Sequence, residues 1–317
     1  MSTDSPADRP DETTSRGKHL WNTVLAYIAL TKPRVIELLL ISTIPVMLQA
    51  QRGTVDIALI AITVVGGWLG AASANSLNMV ADADIDQKMK RTERRPLARH
   101  AVSVRNALVF SIVLAIASFA VLYFGTGGKW LPPVLVWITI AFYAGFYTLV
   151  LKRRTWQNVI WGGLAGCTPA LVGWSAVTGN LNWQPFVMFL VVFFWTPPHT
   201  WALGMRYRED YRAAGVPMFP VVASDERVTK HMLIYTWLTV LTSLFLIPVT
   251  SWIYLVVAVV SGAWFIWRVT KLFVETRRGV EVKPLKIFLT SNEYLALLFC
   301  GLAVDAVINL PTISSYF

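Results

Sequence analysis

The sequence predicts an all-α polytopic membrane protein with nine transmembrane helices. Three observations carry that expectation. The 317 residues are 55% hydrophobic and only 15% charged, with a mean hydropathy of +0.54, whereas soluble domains average about 45–50% apolar and about 25% charged. Several runs reach the roughly 18 or more apolar residues needed to cross a bilayer as a helix. Finally, of the 28 Lys and Arg, all but Arg52 and Lys129 fall on alternate inter-span segments.

Each element follows in order. Residues 1–20 are polar and mixed in sign, with Asp4, Asp8, Asp11 and Glu12 against Arg9, Arg16 and Lys18. They lack the apolar core of a signal peptide and carry too many acids for a transit peptide, so a disordered cytoplasmic tail is expected. Residues 21–317 are expected to form one intramembrane domain. The spans fall at about 33–50, 56–80, 103–124, 131–151, 158–178, 184–204, 231–250, 252–270 and 290–310. In lipid the backbone must satisfy its own hydrogen bonds, so runs of this length are helices. The basic segments place the N-terminus in the cytoplasm, the C-terminus outside, and the long loops on the cytoplasmic face.

The net charge of +10 does not point to nucleic acid, because the bases lie between apolar segments. Cys167 and Cys300 sit inside apolar runs and read as free thiols.

The densest charge is NMVADADIDQKMKRTERRPL, residues 78–97. Asn78, Asp82 and Asp86 are spaced i, i+4, i+8, and four residues advance a helix by about 400°, so they form one stripe that Asn75 extends. Acids at a helix C-terminus oppose the macrodipole and repel one another at i, i+4. Such a stripe calls for a cation, and carboxylates with an amide oxygen suit Mg²⁺ shared with substrate phosphates. Lys88, Lys90, Arg91, Arg94 and Arg95 follow, with the sign that phosphate oxygens need. These bases also satisfy the positive-inside rule, whereas the acids do not enter it. Asp84 points elsewhere on the helix.

LKRRTWQN, residues 151–158, brings Lys152, Arg153 and Arg154 to the same face. WTPPHTWALGMRYREDY, residues 195–211, ends the sixth span, where Pro197 and Pro198 are expected to break or kink the helix and His199 follows them. Tyr207, Glu209 and Asp210 form a second acidic segment. Glu37 and Asp305 are acids inside spans, which cost energy unless paired. His100 lies on the cytoplasmic side.

With these residues in view, the chain resembles the UbiA-type intramembrane prenyltransferases, and within them the heme-farnesylating branch. The resemblance rests on LTKPRVIELLL (30–40), residues 78–97, YTLVLKRRTWQNVIWGGLAG (147–166) and FFWTPPHTWALGMRYREDYRAAGVPMFPVV (193–222). It implies nine helices around a central cavity, Mg²⁺ as cofactor, and farnesyl diphosphate and heme B as substrates giving heme O and diphosphate. It implies a bacterial plasma-membrane enzyme, with a downstream heme-modifying membrane enzyme as partner. It assigns Asn78, Asp82 and Asp86 to the metal and the catalytic centre. Lys90, Arg94, Arg95, Lys152 and Arg153 go to the diphosphate, and His199, with His100 second, to heme. Many superfamily members carry two aspartates four apart in the second motif. Here Tyr207 and Tyr211 occupy those positions, as in the heme-directed branch. Three alternatives stay open: prenylation of a quinone precursor or chlorin, cation-coupled transport through Asp82, Asp86, Glu37 and Asp305, and a heme-binding assembly chaperone.

Overall fold

The structure, a computed structural model, describes residues 12–87, 92–280 and 282–316, with the side chains of 12–20 and 34–41 outside that description. The long helices are α1 (Glu12–Thr31), α2 (Pro33–Gln51), α3 (Ile57–Ala81), α5 (Val104–Gly125), α6 (Leu131–Ile140), α7 (Asn158–Thr178), α8 (Trp183–Arg206), α11 (Asp225–Leu244), α12 (Trp252–Arg277) and α13 (Pro284–Ile308). Between them stand the short helices α4 (Ala83–Asp86), α9 (Arg208–Ala213) and α10 (Phe219–Val222), and α6 continues as a π-helix over Ala141–Leu151. The described residues contain no strand.

Local sequence explains the starts. The side chains of Asp56, Ser103, Ser224 and Ser251 accept from the backbone N–H of Leu59, Asn106, Arg227 and Ile253, capping α3, α5, α11 and α12. Among the described residues, eight helices are long and apolar enough to cross a membrane. α2, 19 residues long, occupies the place of the first expected span. Many of their large apolar side chains face outward, such as Val109, Ile112, Val113 and Ile116 of α5. Helices hydrophobic all round, with no partner on one side, are lipid-facing, and the chain is a multi-pass membrane protein.

Inside, α7, α8, α11, α12 and α13 share the largest core, built on Trp201, Phe265, Tyr254 and Tyr294. Small residues bring α3 close to its neighbours. A Cβ on Gly66 would lie 2.5 Å from Leu122 of α5, and one on Gly70 would lie 2.3 Å from Val136 of α6. Such contacts let helices associate where no hydrophobic force drives them.

Two expectations change. α1 starts at Glu12, inside the stretch read as a disordered tail, while residues 1–11 lie outside the description. Its far end is anchored by Ala26 and Leu30, buried against Met79 and Leu97, and helix propagation from an anchored segment is cheap compared with nucleation. Of the break or kink expected at Pro197 and Pro198, the break is absent, since α8 runs through both. Each proline removes one ladder donor, which buried surroundings in membrane helices tolerate.

Asp305 is a structural residue. It is fully buried and pairs with Arg52 Nη1 at 2.7 Å. It also accepts from the backbone N–H of Ser251 (2.7 Å) and Tyr254 (3.3 Å), and from the Ser251 hydroxyl. Arg52 donates onward to the carbonyls of Val249 (3.1 Å) and Leu310 (2.9 Å). This cluster fastens α2, α12 and α13 at the end opposite the long loops. Glu37 lies among the side chains outside the description.

Candidate active site

α3 ends at Asp82, and α4 resumes the helical path at once, with the N–H of Asp86 donating to the Asp82 carbonyl at 2.9 Å. Asn75, Asn78, Asp82 and Asp86 are all buried. Asn75, Asn78 and Asp82 meet partners from distant parts of the chain, and Asp86 meets one nine residues on. Asn75 donates to the Thr31 carbonyl (3.0 Å), which holds the α1–α2 turn against α3. In that turn Lys32 takes a left-handed conformation (φ 52°) and donates from Nζ to Asn78 Oδ1 at 2.8 Å. Asn78 Nδ2 donates to Asp82 Oδ2 at 2.9 Å and to Thr148 Oγ1 at 3.1 Å. Lys152 Nζ donates to Asp82 Oδ2. Arg95 Nη1 meets both oxygens of Asp86, at 2.8 and 2.7 Å.

The electrostatics follow. Burial of the Lys32 ammonium, then the nearby charges of Arg95 and Lys152, push its pKa well below the usual lysine range, while Asp82 and Asp86 oppose the shift. Asp82 is fully buried, and its Oδ1 has no hydrogen-bond partner. Arg153 stands 4.0 Å from that oxygen, but its guanidinium donates mainly to Asp84 (2.7 and 2.8 Å) and the Ala81 carbonyl (2.8 Å). The hydrogen bond from Arg153 lowers the pKa of the exposed Asp84 carboxyl.

The π-helix supplies the opposite wall. Its wider turn lets Thr148 donate to the carbonyl five residues back, Tyr143, at 2.6 Å. π-turns concentrate at functional sites because they re-aim side chains. Tyr143 and Tyr147 stack at 5.3 Å and 20°. A Cβ on Gly162 would stand 2.4 Å from the Tyr147 ring, so α7 needs glycine there.

These groups surround a cavity of about 410 Å³. Lys32, Asn78, Asp86, Arg95 and Lys152 form its polar end, and Val159, Gly163, Val192, Trp195, Val216 and Met218 its apolar walls. Asp82 lies behind Lys152 and Asn78. A smaller apolar chamber of about 70 Å³ shares Ala71, Ala74, Thr139 and Ala165 with the first and continues along α3 and α7 to Gly67, Val136 and Pro169. The acids stand at the mouth of an apolar space that deepens away from them.

His199 also lines the main cavity, between the rings of Trp195 (4.2 Å, 22°) and Phe288 (4.4 Å, 29°), with Nδ1 2.9 Å from Ser291 Oγ. Other expected site residues are not brought in. His100 is exposed beside a separate surface depression lined by Asp84 and Gln87. Arg94 is exposed. Glu209 pairs with Arg212 at the surface, and Tyr207 and Asp210 do not line the cavity, whereas Tyr211 does. Lys88, Lys90 and Arg91 lie outside the described residues. Lys32, Tyr143, Tyr147 and Thr148 are the additions that the sequence pattern did not single out.

The donor set fits a hard divalent cation. Among the described residues, no three His, Cys, Asp or Glu side chains cluster as a metal site, so the candidate is two carboxylates with amide oxygens. The oxygens of this set already face ammonium or guanidinium groups, and one buried carboxylate oxygen is left over. Two carboxylates without a full protein cage are what Mg²⁺ uses when substrate phosphates complete its shell.

The profile of the UbiA prenyltransferase family matches residues 39–292. A protoheme IX farnesyltransferase of Nocardia farcinica is 64% identical over 94% of this chain and 95% of its own length. That of Rhodococcus jostii is 63% identical over 92% and 96%, and that of Mycolicibacterium smegmatis 59% over 93% and 96%. Among solved structures, a digeranylgeranylglyceryl phosphate synthase superposes with a TM-score of 0.73 at 16% identity, over 90% of this chain and 99% of that one. A UbiA homolog from Archaeoglobus fulgidus bound to GPP and Mg²⁺ gives 0.64 at 18%, over 89% and 99%. At these identities the structures establish the fold alone.

Proposed function

The chain belongs to the UbiA prenyltransferase family and is a transferase, and from that premise we propose that it converts heme B to heme O with farnesyl diphosphate. The C1–O bond of the donor breaks, C1 bonds to the terminal carbon of a heme vinyl group, and water adds to the inner carbon and loses a proton. Diphosphate leaves. The observation that carries this reading is the junction of a buried acid–base cluster with an apolar cavity, since an allylic diphosphate has one charged end and one hydrocarbon end.

Asn78, Asp82 and Asp86 would hold Mg²⁺, which when bound neutralises charge on the departing diphosphate. Lys152, Arg95 and Lys32, which line the same cavity, would neutralise the rest, and preorganised charges of this kind dominate catalysis by leaving-group stabilisation. Arg153, Arg94 and Lys90 would guide the diphosphate in from the loops. The apolar walls hold the C15 tail and keep water from the cation until the vinyl group has reacted. His199, which lines the cavity, would face the porphyrin. The basic face suits the heme propionates, with His100, Tyr207, Glu209 and Asp210 belonging to the loops around the entrance. We assign residues 21–317 to one catalytic unit with nine spans in a bacterial plasma membrane. Its N-terminus and site face the cytoplasm, and its product passes to a heme-modifying membrane enzyme.

Cation-coupled transport loses one of its four acids, because Asp305 is committed to Arg52 and the start of α12. The acceptor is tested by offering the purified protein farnesyl diphosphate and Mg²⁺ with either heme B or an aromatic quinone precursor. Farnesylated heme alone supports the reading. A farnesylated aromatic product with unreacted heme overturns it.

A further inference from the structure

Ser291 of α13 meets His199 of α8 across 92 positions of sequence. Its hydroxyl has one proton, and that proton goes to the Phe288 carbonyl at 2.7 Å. With the hydroxyl proton on that carbonyl, the oxygen accepts toward His199, and the tautomer that completes both hydrogen bonds carries its proton on Nδ1. Trp195 Nε1 donates to the Ser291 carbonyl at 2.6 Å, fastening the same turn of α8 to the same turn of α13.

The ring is enclosed on three sides. Trp195 and Phe288 stack nearly parallel to it at 4.2 and 4.4 Å, and two such neighbours fit only on opposite faces. Ser291 closes the Nδ1 edge. What remains is the edge that carries Nε2, and His199 lines the cavity. In the tautomer fixed by Ser291, Nε2 has an in-plane lone pair and no proton. Histidines that bind metals commonly donate their other ring N–H to an oxygen, which sets ring orientation and raises basicity.

We propose that Ser291 is a positioning residue that holds His199 with Nε2 presented to the iron of the porphyrin acceptor, so that the site selects a metalloporphyrin over the iron-free ring. This deepens the heme reading above and rests on it. The sequence motif singles out His199, and nothing in it identifies Ser291.

The test uses the purified full-length protein. Heme B and free-base protoporphyrin IX are titrated separately, with absorption spectra and dissociation constants recorded, while farnesyl transfer to heme B is followed in parallel. Wild type is expected to bind heme B with the Soret band of an imidazole-ligated iron and to bind the iron-free ring at least tenfold more weakly. Ser291→Ala is expected to weaken heme binding roughly tenfold with an unchanged KM for farnesyl diphosphate, and Ser291→Thr to restore it. His199→Gly is expected to lose the band and regain it with added imidazole, which keeps the test valid if Ser291→Ala folds poorly. Wild-type spectra and affinity in His199→Gly or Ser291→Ala, with farnesyl transfer intact in wild type, overturn the proposal and leave the function standing. Absent farnesyl transfer in wild type, with the Ser291-dependent band present, overturns the function and leaves the ligand assignment standing.

Discussion

Lys152 reaches back seventy positions to set its ammonium on Oδ2 of Asp82, a carboxylate that solvent does not touch. A protein cation thus answers the charge of the buried acid. Arg95 does the same on Asp86, and Lys32 donates to the amide oxygen of Asn78. Under the proposed reading, bound Mg²⁺ and diphosphate would offer these side chains anionic partners and would compete with them for the acids.

Lys152→Met should therefore act twice. Without metal it leaves Asp82 buried and short of its cation, and removing one member of a buried pair costs about 3–5 kcal/mol. With Mg²⁺ and inorganic diphosphate present much of that loss should be recovered. Thermal unfolding of the variant with and without both ligands checks it, and equal shifts for variant and wild type count against the exchange.

Arg95→Lys should not substitute for arginine, because Arg95 holds both oxygens of Asp86 with Nη1 alone, so its other guanidinium donors can meet diphosphate oxygens at the same time, whereas lysine has a single nitrogen. A loss of roughly 10²-fold in kcat/KM for farnesyl diphosphate is expected, the scale of one preorganised charge-stabilising donor. Steady-state kinetics decide it.

Asp84→Asn should be nearly silent. Asp84 and Arg153 form an exposed pair, worth about 0–1 kcal/mol and weakened by salt. The carboxyl pKa is lowered in the folded state, so its small stabilisation is present above the unfolded value of about 3.9 and lost as pH falls through the folded one. Melting curves at pH 7 should differ little between variant and wild type, in contrast to Asp82→Asn.

Asp305→Asn should destabilise without touching chemistry. It leaves Arg52 without its carboxylate and weakens the start of α12, at a cost of about 3–5 kcal/mol. Activity per folded molecule should match wild type. Lost activity in protein of normal stability contradicts the structural assignment.

What the sequence made legible and what it hid have physical reasons. Asn78, Asp82 and Asp86 stand out because a helix repeats every 3.6 residues and all three sit on one short segment. The apolar runs and the one-sided bases are equally local signals. Lys32 could not be read the same way, since its role depends on a turn that brings it to Asn78 across 46 positions. Thr148 and Tyr143 face the site because the chain is a π-helix there, and no α-helical template applied to 141–151 predicts that register. The loop histidine His100 and the surface acid Glu209 share the basic face with the site but not its cavity, a distinction that charge and order along the chain do not contain.

The most direct measurement is heme O formation by the purified protein from heme B, farnesyl diphosphate and Mg²⁺, quantified by mass for wild type and Asp82→Ala. Metal-dependent product from wild type and at least a 10²-fold lower rate from the variant is the expected result. Equal rates from the two, or product formation indifferent to Mg²⁺, would contradict the account.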